Sequence, residues 1–208
     1  MSKIRGVAVA GVTALAAAGV VVGSTGVLAS TPQHYTRFSM VRSAAAAASA
    51  RCLPHATATV TIRSTGPTET MRVVAAGLPA SKEFDLFVIQ VPNAPFGLSW
   101  YQGDLDTDSH GRADGTFVGR FSKETFAVAP GVAPAPVVHA GKDAATNPAF
   151  KPLHTFHLGL WFNSPRDAVA AGCSGATTPF NGDHTAGIQA LSTRNFPAAR
   201  GPLSAIRP

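Results

Sequence analysis

Phe84-Asp85-Leu86-Phe87-Val88-Ile89-Gln90-Val91 is the stretch on which the fold turns. It is rich in β-branched and aromatic residues, apolar at both odd and even positions, and closed by Pro92 and Pro95. It reads as a central strand covered on both faces. Upstream, residues 59–63 place Val60 and Ile62 on one side and Thr59, Thr61 and Arg63 on the other, and residues 69–75 repeat that period of two until Gly77-Leu78-Pro79 breaks it.

Downstream, residues 98–105 form another strand candidate. Thr107-Asp108-Ser109-His110-Gly111-Arg112-Ala113-Asp114-Gly115 then carries the Asp/Gly chemistry of a hairpin connection into a strand at 116–121. A short strand at 126–128 precedes a Pro/Gly/Ala segment, 130–152, without usable period. Residues 153–162 are the second long strand candidate, and 188–191 supply a last one. Ser164-Pro165-Arg166-Asp167 starts a short helix, with Ser at the N-cap and Pro at N1, and Gly172 stops it. Short strands, frequent turn signals and 36 Gly plus Pro in 208 residues predict an all-β antiparallel sandwich, Ig-like or jelly-roll-like, with one short helix.

The N-terminus differs from this patterned region. Lys3 and Arg5 precede an uncharged Ala/Val/Gly run at 6–28, which ends in the small-residue site Val27-Leu28-Ala29. Residues 1–29 therefore read as a signal peptide, and the mature chain as secreted. The run is also long enough to span a bilayer, so an uncleaved anchor is the rival and the chain's sole expected membrane contact. Residues 30–51, with Thr31-Pro32 and an alanine run lacking apolar periodicity, read as a flexible Ala-rich linker. Residues 52–208 read as one secreted domain.

The formal net charge of +6 is misleading for that domain. Of 17 basic residues, Lys3, Arg5, Arg37, Arg42 and Arg51 precede Cys52, leaving 12 against all 11 acidic residues, a net of +1. Without a concentrated basic face, nucleic acid is not an expected partner. Cys52 and Cys173 stand at the two ends of the patterned region and are expected to pair, as cysteines of an exported chain do. Arg51 before Cys52 excludes a lipoprotein cysteine.

Chemistry-bearing residues are sparse. His154 and His157 form an H-x-x-H, but on a strand residues three apart point to opposite faces and cannot share one ion. The same parity puts His157, Gly159 and Trp161 on one face, where glycine between two rings leaves a hollow for a ligand or for a neighbouring side chain. His139, His157 and His184 together are a candidate zinc or copper cluster that only folding could assemble. Asp104, Asp106 and Asp108 alternate like the opening of a calcium loop. Ser109 then stands where that loop needs Gly, and Gly115 where it needs Glu, so solvent-facing turn formation is the competing reading. No Gly-x-Ser-x-Gly elbow is present, and Glu83 and Asp85 share a strand face without a marked partner. Trp100, Tyr101 and Trp161, with Gln102, Asp104 and Asn163 close in sequence, suit sugar stacking or plain core packing.

Three segments, residues 90–104, 154–173 and 180–189, resemble a group of bacterial secreted proteins with an export signal and a single β-rich domain. The resemblance spans about residues 52–202 and implies export and one domain. It brings no activity, so no catalytic residue is transferred.

The expected function is a secreted, non-catalytic binding or cell-surface interaction module without a cofactor, its ligand an extracellular component such as a glycan. Its candidate ligand residues are His157, Trp161, Trp100, Tyr101 and His184. The alternatives are a zinc- or copper-dependent enzyme built on the histidine cluster and a carbohydrate-binding domain.

Overall fold

The structure is a computed structural model that describes residues 34–64, 68–97, 99–121, 155–179 and 185–207. The chain divides after Thr31. In order, the elements are β1 (His34–Arg42), α1 (Ala44–Ala47), β2 (Thr57–Ser64), β3 (Glu69–Ala76), β4 (Glu83–Ile89), β5 (Ser99–Asp106), β6 (Ala113–Gly119), β7 (His157–Phe162), α2 (Pro165–Ala170) and β8 (Gln189–Ser192). A closing 3-10 turn spans Pro202–Ala205. No helix among the described residues is long and apolar enough to cross a membrane.

All strand pairings are antiparallel, and the sheet runs β5-β4-β7-β8-β1-β2-β3-β6. The all-β, antiparallel expectation holds. β1 joins the two halves: residues 34–40 pair with β2, and Val41 and Arg42 pair with β8. One core lies within the curved sheet and draws on both halves, with Met40, Val60, Ile62, Met71 and Val73 from one and Leu86, Leu105, Leu158, Leu160 and Leu191 from the other.

The double-sided apolarity of residues 84–91 is explained by this arrangement. Phe84, Leu86 and Val88 enter the main core, while Phe87 and Ile89 enter a second, smaller cluster on the opposite face with Trp161, Ala186 and the partly buried Phe96. β4 is covered on both faces although only β5 separates it from the sheet edge.

Two expectations need correction. Residues 34–51 are not a flexible linker: they form β1, in the middle of the sheet, and α1. Phe38 and Met40 alternate inward, and the Ser43 hydroxyl caps α1 by accepting from the Ala46 amide at 3.0 Å. Arg42 Nη1 donates to the Cys52 carbonyl at 3.1 Å. The alanine run docks through closeness rather than bulk, with Ala46 fully buried, and hydrophobic periodicity does not register such contacts. The chain thus has a second short α-helix beside α2, which is capped by Ser164 with Pro at its start, as read from sequence.

The second correction concerns residues 107–115. The turn chemistry is as expected, with Asp108 Oδ1 accepting from the amides of His110 and Arg112, each at 2.8 Å. At Gly111 φ is +71°, and a Cβ would lie 2.0 Å from the Leu78 carbonyl oxygen, so glycine is required there. Yet this is not a hairpin: β5 pairs with β4 and β6 with β3, at opposite edges of the sheet. Curvature brings these edges together through side chains. A Cβ on Gly103 would lie 2.9 Å from Phe117 Cε1, and one on Gly115 2.5 Å from Leu105 Cδ1.

Cys52 and Cys173 form a disulfide with Cα atoms 4.5 Å apart, linking the segment after α1 to the end of α2. The strand expected at 126–128 and the 130–152 segment lie outside the described residues.

Candidate functional site

Where Gly103 and Gly115 sit, β5 and β6 approach closely. Towards Trp100 and Phe121 they part, leaving a groove of about 320 Å³. Val88 of β4 forms part of its wall, together with Trp100, Gln102, Arg120, Phe121 and Thr155. Trp100 is directly opposite Val88 in the β4/β5 register, so its ring lies on the core side of the sheet, yet it remains 46% exposed because the seam is open there. Val118 adds an exposed apolar rim. Trp100, Gln102 and Arg120 thus line one concavity, an aromatic beside polar residues, as in small-ligand sites.

The other expected ligand residues divide between the outer face and the interior. Tyr101 points away from the groove: its ring lies 5.5 Å from that of Phe87, and its hydroxyl donates to Asp104. Trp161 is fully buried in the outer-face cluster, edge-on to Phe87 at 5.4 Å and to Phe96 at 4.9 Å. It is core packing and presents no stacking face, contrary to its place among the ligand residues.

His157, Gly159 and Trp161 share the face that strand parity predicts, opposite Ile89, Phe87 and Asp85, but the hollow is filled from within. A Cβ on Gly159 would lie 2.2 Å from Trp161 Cζ3 and 2.5 Å from Gln189 Nε2. Gly159→Ala is therefore expected to cost about 1–3 kcal/mol through overpacking, read from chemical denaturation. An unchanged midpoint would contradict the close approach.

His157 is fully buried, and both ring nitrogens are engaged. Nε2 donates to the Ala198 carbonyl at 3.2 Å, which leaves Nδ1 to accept from the Thr193 hydroxyl at 2.9 Å. Burial holds its pKa below the ordinary 6.5, while the backbone contacts at Ala198, Pro197 and Thr193 oppose that shift. With both nitrogens committed inside the protein, His157 is a structural histidine rather than a metal or ligand residue. His139, His154 and His184 lie outside the described residues.

Three carboxylates meet on the outer face of β4 and β5. Glu83 and Asp85 alternate on β4, and Asp104 stands directly opposite Asp85 on β5. One oxygen from each lies within 4.8 Å of the others. Burial, then the charges of Asp104 and Glu83, push Asp85 up to about 6. Burial, then Asp104 and Asp106, raise Glu83. Burial and the hydrogen bond to Asp104 raise Tyr101. Asp108, expected beside Asp104 and Asp106 in a calcium loop, is occupied by its own turn.

Val88, Arg120, Phe121 and Thr155 were not singled out from sequence as site residues, because they meet only where the two sheet edges converge. The pairing of Asp85 with Asp104 had one available signal. Both lie on strands joined by a single Pro/Gly-rich connection, so an antiparallel register places them opposite one another.

Comparison of the chain with protein-family models, curated proteins and solved structures finds no match.

Proposed function

We propose that the mature chain is a secreted, non-catalytic binding module whose ligand seats in the groove between β5 and β6. The partly exposed Trp100 ring inside that concavity carries this reading. A large aromatic held half in solvent at an open seam costs apolar exposure that a ligand would relieve. The groove lining contains no carboxylate, imidazole or thiol among the described residues, which suits binding rather than acid–base or nucleophilic chemistry. The leader-like N-terminus and the disulfide support an extracellular setting. The scaffold is sandwich-like in this reading, its two halves closing on one core and sharing β1.

The ligand class best supported is a carbohydrate. An indole face stacks on a sugar ring, and Gln102 and Arg120 supply hydrogen-bonding groups beside it. Titration calorimetry with oligosaccharides of glucose, N-acetylglucosamine and mannose tests this. Trp100→Ala is expected to leave the melting temperature within about 2 °C, as for an exposed side chain, and to weaken binding at least tenfold, the loss of about 1.4 kcal/mol of stacking. Equal binding by wild type and variant would overturn the placement of the ligand. Binding of none of these sugars would overturn the carbohydrate class.

A further inference from the structure

We infer that Glu83, Asp85 and Asp104 form a calcium site on the outer face of β4 and β5, separate from the groove. Acidic side chains on a surface are ordinary, and Glu83 and Asp104 alone would suggest nothing, since both are exposed. Asp85 is different. It is only 2% exposed, and its Oδ2 is buried without a hydrogen-bond partner. A buried carboxylate is stable in a fold when a donor or a cation compensates it. Among the described residues, the charged groups beside it are two further carboxylates, one of them directly across the strand pair, an arrangement that disfavours the sheet.

Among the described residues, Lys82, next to Glu83 in the chain, is committed elsewhere, its Nζ paired with Asp167 at 2.6 Å. Tyr101 donates to Asp104, which leaves the other carboxylate oxygens free to face a shared centre. The donor set is therefore all oxygen and triply acidic, with one buried ligand as floor and two exposed ligands as walls. This is hard-cation chemistry, with no nitrogen or sulfur to favour zinc or copper. An open side that keeps water suits calcium, whose coordination is flexible, better than magnesium, which demands near-ideal octahedral geometry.

The test uses the full mature chain, stripped with chelator and titrated calorimetrically with Ca²⁺, and separately with Mg²⁺. One equivalent of Ca²⁺ is expected to bind with Kd of about 0.1–1 mM, the range of extracellular calcium modules. Asp104→Ala, at an exposed position that does not threaten folding, is expected to weaken binding at least tenfold, and Asp85→Asn likewise. Asp108→Asn, in the neighbouring turn, is expected to bind as wild type does. Absence of Ca²⁺ binding at 10-fold excess over that range, undiminished binding by Asp104→Ala, loss with Asp108→Asn, or Mg²⁺ binding in place of Ca²⁺ would each overturn the assignment.

Discussion

Replacing Cys52 and Cys173 together by Ala is expected to lower the unfolding free energy by about 4–5 kcal/mol in the chain-entropy model. The two residues are 121 positions apart, so the bond restrains most of the described fold in its unfolded state. Against a typical total of about 5–15 kcal/mol, that is a large fraction. The loss has a structural focus. Cys52 is fully buried at the end of the α1 segment, and the Cys173 amide donates to the Ala168 carbonyl at 2.9 Å, closing α2. Amide exchange in α1 and α2 should therefore accelerate before that in β2 or β3. Urea denaturation of the wild type and the double variant measures the change, and intact mass about 2 Da below the reduced form confirms the bond. A difference under about 1 kcal/mol would show that the restraint contributes little.

His157→Ala is expected to cost about 2–4 kcal/mol at pH 7.5, combining a core cavity with a Thr193 hydroxyl and an Ala198 carbonyl deprived of their partner. The loss should shrink on acidification. Because burial lowers the His157 pKa in the fold, the unfolded chain takes up a proton near 6.5 before the folded chain does. The contribution of the neutral ring is thus fully present above about 6.5 and declines as pH falls below it, by at most about 1.4 kcal/mol per pH unit. Asp85 acts in the opposite sense. Raised from 3.8 to about 6, it contributes stability that is fully present below 3.8 and lost as pH rises through about 6. That contribution is common to wild type and variant, so the difference between them isolates His157. Denaturation of both at pH 7.5, 6.5 and 5.5 is the measurement, and a gap that widens towards pH 5.5 would contradict a buried neutral imidazole.

Legibility followed the range of the interaction. Val60 and Ile62 on one face of β2, the double-sided β4 and the Ser164-Pro165 start of α2 were readable because alternation and capping are set within a few residues. β1 was not, since its inward signal is only Phe38 and Met40, between a leader-like segment and an alanine run that docks by small size. The parity of His157, Gly159 and Trp161 was readable too. What fills the hollow was not, because Gln189 arrives from β8 and the Trp161 ring is held over it by Phe96 from the loop after β4.

The all-β class, the antiparallel strands, the pairing of Cys52 with Cys173 and the near-neutral charge after residue 51 are all legible in the linear chain. Each depends on residue type and local spacing. Tertiary structure alone decided that β1 joins the two halves, that residues 107–115 cross from one sheet edge to the other, that Trp161 and His157 are interior while Trp100 is accessible, and that Asp85 faces Asp104. These depend on which strands pair and how the sheet curves, and both are settled by burial summed over the whole core rather than by any segment's own pattern.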